Sequence, residues 1–319
     1  MYLYSNIIGT FVFNQNMQIR EKILFSKSDL KNNYKKFQEN ELLNSEEKLL
    51  KKFKKIRNLR TDPDEKLLSK VFLVMSEYDK EFYENNLYVT KLQIKDSITQ
   101  DLLIVQTIGS VNELKKSINL LSKRLREWYS YVLPEVEEIL YDHFSFAERI
   151  AVDSPEKLMK DFKLKITMGR EFSKEDLAAI KNLASTILDL FDEKQEKEDY
   201  LEKLMEKTCP NLTEVAGFLT GAKLMAIAGS LRKMVMMPAS TIQLLGAEKA
   251  LFMHMIKGTK SPKHGIIIEH PLIQRVDRKD KGKASRALAD KISIAVKIDF
   301  FKGEFLGDKL RKQVEDRFR

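Results

Sequence analysis

The sequence predicts a mainly α-helical protein that starts with a small α/β domain and continues as a long antiparallel coiled-coil arm followed by an all-helical domain. Three observations lead to this fold class. β-forming residues alternate at the start, two stretches of the middle repeat apolar residues at intervals of three and four, and small residues mark the helices of the last third. A chain of 319 residues has room for two or three such units.

The α/β domain is expected over residues 1–95. Aromatic and β-branched residues precede the polar stretch 14–18 and apolar residues return in 19–25, a pattern typical of a β-hairpin. Phe11 and Phe13 alternate with smaller residues on the first strand. One face of that strand is expected in the core and the other to form a docking patch, and the pattern does not say which.

The rest of this domain is less regular. Residues 30–59 are rich in Lys and Glu and are expected to be helical, and the break at 61–64 combines a capping residue with Pro63. Residues 71–75 fit either a buried strand or part of a helix, because periodicity cannot separate the two for so short an apolar run.

The coiled-coil arm is expected over residues 96–207. Two runs of apolar residues have the spacing 3, 4, 3, 4 of a coiled-coil seam, and Ser173 followed by Asp176 predicts the start of the second helix. A plain helical bundle stays open as the alternative, because each seam covers barely two heptads. Arg124 and Arg126 are expected to project to solvent or to a partner. The seam residues are Ile118, Leu121, Leu125, Trp128 and Val132, then Leu177, Ile180, Ala184, Ile187 and Phe191.

The third domain is expected over residues 208–319 and contains the excess positive charge. Residues 249–319 hold 18 of the 56 Lys and Arg but only 9 of the 47 Asp and Glu, so the whole net charge of +9 lies there. Such a block is typical of a surface that binds a polyanion, although surplus lysine can also serve solubility alone. A helix is expected over 283–297, and 263–271 is expected to be an exposed loop around a short apolar segment.

Several classes of function lack support in the sequence. Cys209 is the single cysteine, so no intrachain disulfide can form, and neither a signal peptide nor an apolar run of about 20 residues is present. A soluble intracellular protein is expected. No P-loop, GxGxxG, GxSxG or HExxH motif occurs, and the pair His264 and His270 has no third metal ligand nearby. No catalytic residue, metal site or cofactor is therefore predicted.

Two groups of segments go beyond composition. The first is 119–129, and the second comprises 229–231, 237–252, 262–265 and 270–272 in that order. Together they resemble the Nop-domain family, and the opening segment Gly9–Phe13 is similar to the N-terminal domain of the archaeal Nop-domain scaffold of box C/D guide ribonucleoproteins. The absence of a lysine-rich tail after Arg319 favours the archaeal type, which implies a cytoplasmic protein; a eukaryotic relative would be nucleolar or nuclear.

The resemblance implies an assembly role without catalysis. The N-terminal domain would dock a fibrillarin-type methyltransferase, the arm would pair two copies of the scaffold, and the last domain would grip a kink-turn box C/D guide RNA already bound by a small kink-turn-binding protein. The complex would 2′-O-methylate ribosomal and transfer RNA. The methyl donor would belong to the partner enzyme, so this chain would bind no S-adenosylmethionine, and no membrane is implied.

The predicted RNA and protein contacts lie on three segments. Glu248 and Lys249, side by side near a helix start, suit a composite surface of protein and RNA, and Lys249 is the leading candidate for a phosphate contact. A surface Glu–Lys pair is the alternative. Both histidines of the loop could stack on unpaired bases or serve structure alone. The full set is Gln243, Glu248, Lys249, Lys260, Lys263, His264, His270, Lys281, Lys283 and Arg286.

Other functions stay open beside the guide-ribonucleoprotein scaffold. The first is a spliceosomal-type Nop-domain protein with no methyltransferase partner. An enzyme that depends on His264 or His270 comes next, and a general basic helical protein that binds DNA follows. The sequence also leaves open which arm contacts form within one chain and which form between two chains.

Overall fold

A computed structural model of the chain describes residues 1–53 and 55–318. These residues form two compact units that meet in sequence between Thr99 and Gln100. The three-domain division with boundaries at 95 and 207 stays a prediction.

The first unit holds a four-stranded sheet in the order β3-β2-β1-β4. Strand β2 pairs antiparallel with both β1 and β3, and β4 pairs parallel with β1. The predicted hairpin is confirmed as β2 and β3, joined by the turn at 14–18. The strands are β1 (Tyr2–Ser5), β2 (Gly9–Phe13), β3 (Ile19–Leu24) and β4 (Arg57–Asn58).

Both faces of β2 are buried, which corrects the expectation of a docking patch on one of them. Phe11 and Phe13 pack in one apolar cluster with Val71 and Met75, while Val12 packs on the opposite face with Leu3 and Leu49. All five residues of β2 are buried because helices cover the sheet on each side. A surface for a partner must therefore be sought elsewhere in this unit.

The expectation of helix throughout 30–59 is wrong in part. Two helices form here, separated by a break at 39–43 and followed by β4, whose backbone pairs with β1. Residues 71–75 are helical, and Asp64 caps their helix by accepting from the amides of Lys66 and Leu67. The helices of this unit are α1 (Lys27–Gln38), α2 (Asn44–Lys52), α3 (Glu65–Met75) and α4 (Asp79–Ser97).

The second unit begins with the arm. Its two long helices, α5 and α9, are antiparallel. The start of α5 packs against the end of α9 in one apolar cluster, and Leu125 near the end of α5 packs with Ile180 near the start of α9 in a second cluster. Ser173 caps the second helix as predicted, by accepting from the Asp176 amide. The helices are α5 (Gln100–Tyr129), α6 (Glu135–Ile139), α7 (His143–Val152), α8 (Pro155–Asp161) and α9 (Lys174–Thr208).

Most of the remaining helices pack around α16, whose buried face contacts α10, α12, α13 and α17, whereas α11 packs against α5 and α9. Pro238 separates α12 from α13 as predicted, and the expected exposed loop around Ile267 contains a 3₁₀ turn over Ile266–Glu269. The helices are α10 (Pro210–Ala216), α11 (Phe218–Ala228), α12 (Leu231–Val235), α13 (Ala239–Leu244), α14 (Glu248–Lys257), α15 (Pro271–Arg275), α16 (Lys281–Phe300) and α17 (Gly307–Glu315).

Candidate nucleic-acid interface

Two segments that are 20 residues apart in sequence run side by side at the centre of the candidate site. The Gly265 amide donates to the Gln243 carbonyl over 2.8 Å, and the Ile266 amide donates to the Leu245 carbonyl over the same distance. The Gln243 side chain completes the pairing by donating to the Lys263 carbonyl over 2.6 Å. Gln243 thus fixes the backbone of the loop that presents Lys263 and His264.

Glycine is required at this pairing. A Cβ atom on Gly265 would lie 1.9 Å from the Leu245 carbonyl oxygen, and Gly246 has a φ of +86° with Ile266 directly against it. Side chains are excluded at the first position by overlap and disfavoured at the second by backbone conformation. The two glycines therefore hold the loop close to the start of α14.

The Glu248–Lys249 pair divides into a structural residue and a free charge. The Glu248 carboxylate accepts from the Gly246 amide over 2.7 Å and so stabilises the turn before α14. Lys249 is exposed, and its ammonium has no ion-pair partner in the described part of the chain. Lys249 is consequently available to a phosphate.

The loop lysine meets the start of α16. A Cβ atom on Gly282 would lie 3.4 Å from Lys263 Cδ, so the lysine stem passes over this glycine. Lys283 is 76% exposed and reaches Asp280 over 2.9 Å, an exposed pair of little strength. Arg286 is exposed and one turn further along the same face. We name these neighbouring cations the basic surface, which comprises Lys263, Lys281, Lys283 and Arg286.

The two histidines differ in their surroundings. His264 is half-buried beside the basic surface. His270 caps α15, with Nδ1 accepting from the Leu272 amide over 3.2 Å. Burial and, to a smaller extent, nearby Arg311 lower the pKa of His270 to about 4, against weaker opposite effects of Glu315 and a hydrogen bond with the Val215 backbone. The geometry supports the structural alternative for His270.

The family model described as "Nop: snoRNA binding domain, fibrillarin" matches residues 110–319. These residues include the paired loops, the basic surface and most of the arm. The chain belongs to the Nop-domain family.

Curated relatives agree with this assignment. A NOP5 family protein of Methanocaldococcus jannaschii is 40% identical over 75% of this chain and 63% of its own length. Human Nucleolar protein 56 is 36% identical over 72% of this chain and 42% of its own length. Nucleolar protein 58 of Schizosaccharomyces pombe is 35% identical over 69% of this chain and 47% of its own length. The chain thus spans between about two fifths and two thirds of these relatives.

One solved structure covers nearly the whole chain. It is described as the crystal structure of a fibrillarin/Nop5p complex and aligns with 99% of this chain and 98% of that chain, at 24% sequence identity and a TM-score of 0.46.

The arm of this Nop-domain protein is closed by contacts within one chain. Leu125, Ile180 and Ile187 are fully buried between α5, α7 and α9, and Ile118 is 3% exposed. Leu121, Trp128 and Leu177 pack against the same cluster from its edge. The predicted seam residues therefore join the two helices of the arm. Pairing with a second copy would use other residues of the arm.

Arg126 corrects a sequence expectation, because it is buried. Its guanidinium donates to the carbonyls of Leu140 and Tyr141 over 2.7 and 2.8 Å, and it lies 4.2 Å from the centre of the Phe146 ring. These contacts hold the chain that leads into α7 against α5. Arg124 is exposed as expected and pairs with Glu127.

Sequence reasoning missed the exposed apolar face of α14. None of the ten residues in Glu248–Lys257 is buried. The large apolar side chains of Phe252, Met255 and Ile256 are 59%, 71% and 62% exposed. The sequence signal was a run of large apolar residues directly after Lys249. Such a run more often belongs to a helix packed in the core. The Nop domain thus places an apolar face next to a free lysine.

Lys260 is the remaining residue of the predicted RNA contact. Lys260 is exposed in the loop after α14. Within 1–53 and 55–318, no three His, Cys, Asp or Glu side chains are placed to hold a metal ion. No helix in the same residues is both long and apolar enough to cross a membrane.

Proposed function

We propose that this chain is a non-catalytic scaffold of a box C/D guide ribonucleoprotein that directs 2′-O-methylation of ribosomal and transfer RNA. It bridges a kink-turn RNA, already bound by its small binding protein, to a fibrillarin-type methyltransferase. The observation that carries the proposal is the pairing of 243–246 with 263–266, which sets Lys249 and the basic surface around one fixed loop in a Nop domain.

The RNA contact is assigned to cations near the paired loops. Lys249, Lys260 and the basic surface bind backbone phosphates, and His264 lies where an unpaired base can stack on it. Gln243 and Glu248 act by holding the loops in place. His270 supports the same region as a helix cap. It is left out of the RNA contact, since its ring already forms hydrogen bonds with the backbone of Leu272 and Val215.

The protein contact is assigned to α14. Its exposed apolar side chains adjoin Lys249 and would be covered by the kink-turn-binding protein, because apolar faces of this kind mark interaction sites. One helix would then face RNA at its first turn and protein along its length. Such a surface recognises the pair of partners better than either of them alone.

The remaining parts carry the partners of the complex. Residues 1–95 dock the methyltransferase, the arm at 96–207 associates with a second copy, and 208–319 form the Nop domain. Methyl transfer and its donor belong to the partner enzyme, so the chain itself needs no cofactor. The complex works in the cytoplasm of an archaeal cell, or in the nucleolus of a eukaryotic one.

A gel-shift titration with and without the kink-turn-binding protein tests this function. We expect binding only to the partner-bound RNA, with an affinity that falls as salt rises. Lys249→Ala should weaken this binding and lower the salt slope by about one for the lost phosphate contact, whereas Lys203→Ala, an exposed arm residue, should leave both unchanged. Tight binding to the bare RNA, unaffected by the partner protein, would contradict the proposal.

A further inference from the structure

A second group of cations lies at the far side of Lys283. A cavity of about 540 Å³ is lined by Arg275 at the end of α15, Lys283 near the start of α16, and Arg317 and Phe318 after α17. The carboxylates of Asp277 and Asp280 line the same cavity. We name this cavity the terminal cleft. It was not predicted, because its two arginines are 42 residues apart in sequence.

The charges of the terminal cleft are only partly neutralised. Asp280 pairs with Lys283. Arg275 and Arg317 are exposed, and neither guanidinium has an ion pair or hydrogen bond with any residue in 1–53 or 55–318. The Arg317 guanidinium lies over the neighbouring Phe318 ring, 5.7 Å from its centre. Two unpaired guanidinium groups thus flank one cavity.

Guanidinium groups in this arrangement match phosphate. Each planar fork presents two parallel N–H donors, which a phosphodiester accepts through two oxygens at once. Asp277 and Asp280 repel any anion in the cavity, so the ligand must also gain from cations outside the cleft, as a continuous RNA backbone does. Lys283 lines the cleft and also belongs to the basic surface, so the two cationic areas are continuous.

We propose that the RNA backbone continues from the basic surface into the terminal cleft, where Arg275 and Arg317 each bind a phosphate. This inference rests on the proposed function and extends it, because it assigns two phosphate contacts beyond Lys249, Lys260 and the basic surface. The cleft then sets the direction in which the RNA leaves the Nop domain.

Charge-matched variants of the full chain test the terminal cleft. Arg275→Gln with Arg317→Gln removes both cleft charges. Arg278→Gln with Lys312→Gln removes two exposed charges from the adjacent loop and from α17 without touching the cleft. Binding is measured against salt for a kink-turn RNA that carries its binding protein and for an unrelated duplex RNA of equal length.

The cleft variant should lose about tenfold in affinity at 0.15 M salt and lower the salt slope by about two, while the control variant changes the slope by less than about 0.5. Equal effects of both variants on both RNAs would mean that net charge alone acts, and would overturn the inference. No effect of the cleft variant would also overturn it and would favour an acidic protein segment as the ligand. Wild-type protein that binds both RNAs equally would refute the proposed function. The difference in RNA affinity between the cleft variant and the control variant would still test whether the terminal cleft binds phosphate. Thermal melting of each variant checks that folding is unchanged.

Discussion

His270 shows how a single residue can resemble a binding group and yet serve the fold. Its ring caps α15 and lies in a cavity of about 510 Å³ beside Arg311. A neutral ring can accept from the Leu272 amide and is not repelled by Arg311. A protonated ring can no longer accept from this amide and is repelled by the arginine. Protonation is thereby coupled to the stability of the second unit.

The pKa of His270 predicts a specific pH dependence. The unfolded chain takes up this proton near pH 6.5 and the folded chain only near pH 4, so the stabilisation is complete above 6.5 and is lost as the pH falls through that window. The loss should reach on the order of 2 kcal/mol. His270→Asn keeps a capping acceptor without titrating, so urea unfolding at pH 7.5 and 4.5 should show a smaller difference for this variant. Identical pH dependence in both proteins would contradict the assignment.

Residue-scale prediction from the sequence succeeded for local features and failed for distant ones. The Ser173 cap was predictable because its partner, Asp176, is three residues away. The burial of Arg126 was not, because the carbonyls that satisfy it belong to residues 140 and 141, which return to α5 only after α6. The passage of Lys263 over Gly282 likewise depends on tertiary packing.

At the scale of whole elements, the arm combines a seam that closes it internally with exposed apolar residues near its far end. Tyr141 and Met168 are 82% and 85% exposed there, while Leu125 and Ile187 are fully buried. Periodicity predicted the seam because every third or fourth residue returns to one face of a helix. It could not distinguish a partner helix in the same chain from one in another chain, since the spacing is the same in both cases.

Leu125→Asp should therefore unfold the arm. An unpaired carboxylate in this core costs about 4 kcal/mol or more, and self-association through the arm should be lost with its structure. Light scattering and circular dichroism measure the two losses. Asn119→Asp, exposed on the same helix, is the matched control and should retain both the helicity and the mass of the wild type. A Leu125→Asp protein with unchanged mass would contradict the role of the seam.

Helix α14 gives the second prediction at this scale. Met255 is 71% exposed, so Met255→Ser should leave thermal stability within about 0.5 kcal/mol of the wild type. Binding to partner-bound RNA should weaken about tenfold, because an apolar contact with the kink-turn-binding protein is lost. Met236→Ser changes a still more exposed methionine after α12, 81% exposed, and should leave binding unchanged. Loss of binding in both variants would argue against α14 as the protein contact.

At the scale of the molecule, the chain divides into two compact units that the proposed function uses separately. The first unit has its own sheet and apolar clusters, and the second contains the arm and the Nop domain around two separate apolar clusters. The order of these parts could be predicted from composition and periodicity. The sharing of one core by the base of the arm and the Nop domain could not, because it joins residues more than a hundred positions apart, such as Ile104 of α5 and Leu224 of α11.

Residues 100–319 should consequently bind partner-bound RNA without the first unit. We expect an affinity within about twofold of the full chain, since every proposed RNA contact lies in this fragment, and we expect no capture of the methyltransferase. Anisotropy titration and a pull-down measure the two properties. Weak RNA binding by a well-folded fragment would show that the first unit contributes to the RNA contact.

The base of the arm is anchored to the Nop domain, so the length of the arm sets a fixed distance. The Asp101 carboxylate, at the start of α5, accepts from the Leu231 amide at the start of α12 over 2.8 Å, and the same apolar cluster contains residues of α5, α9 and α16. A helix of 30 residues extends about 45 Å from this anchor. Two copies joined at the far ends of their arms would therefore keep their RNA surfaces at a set separation, which restricts the length of guide RNA that can span both.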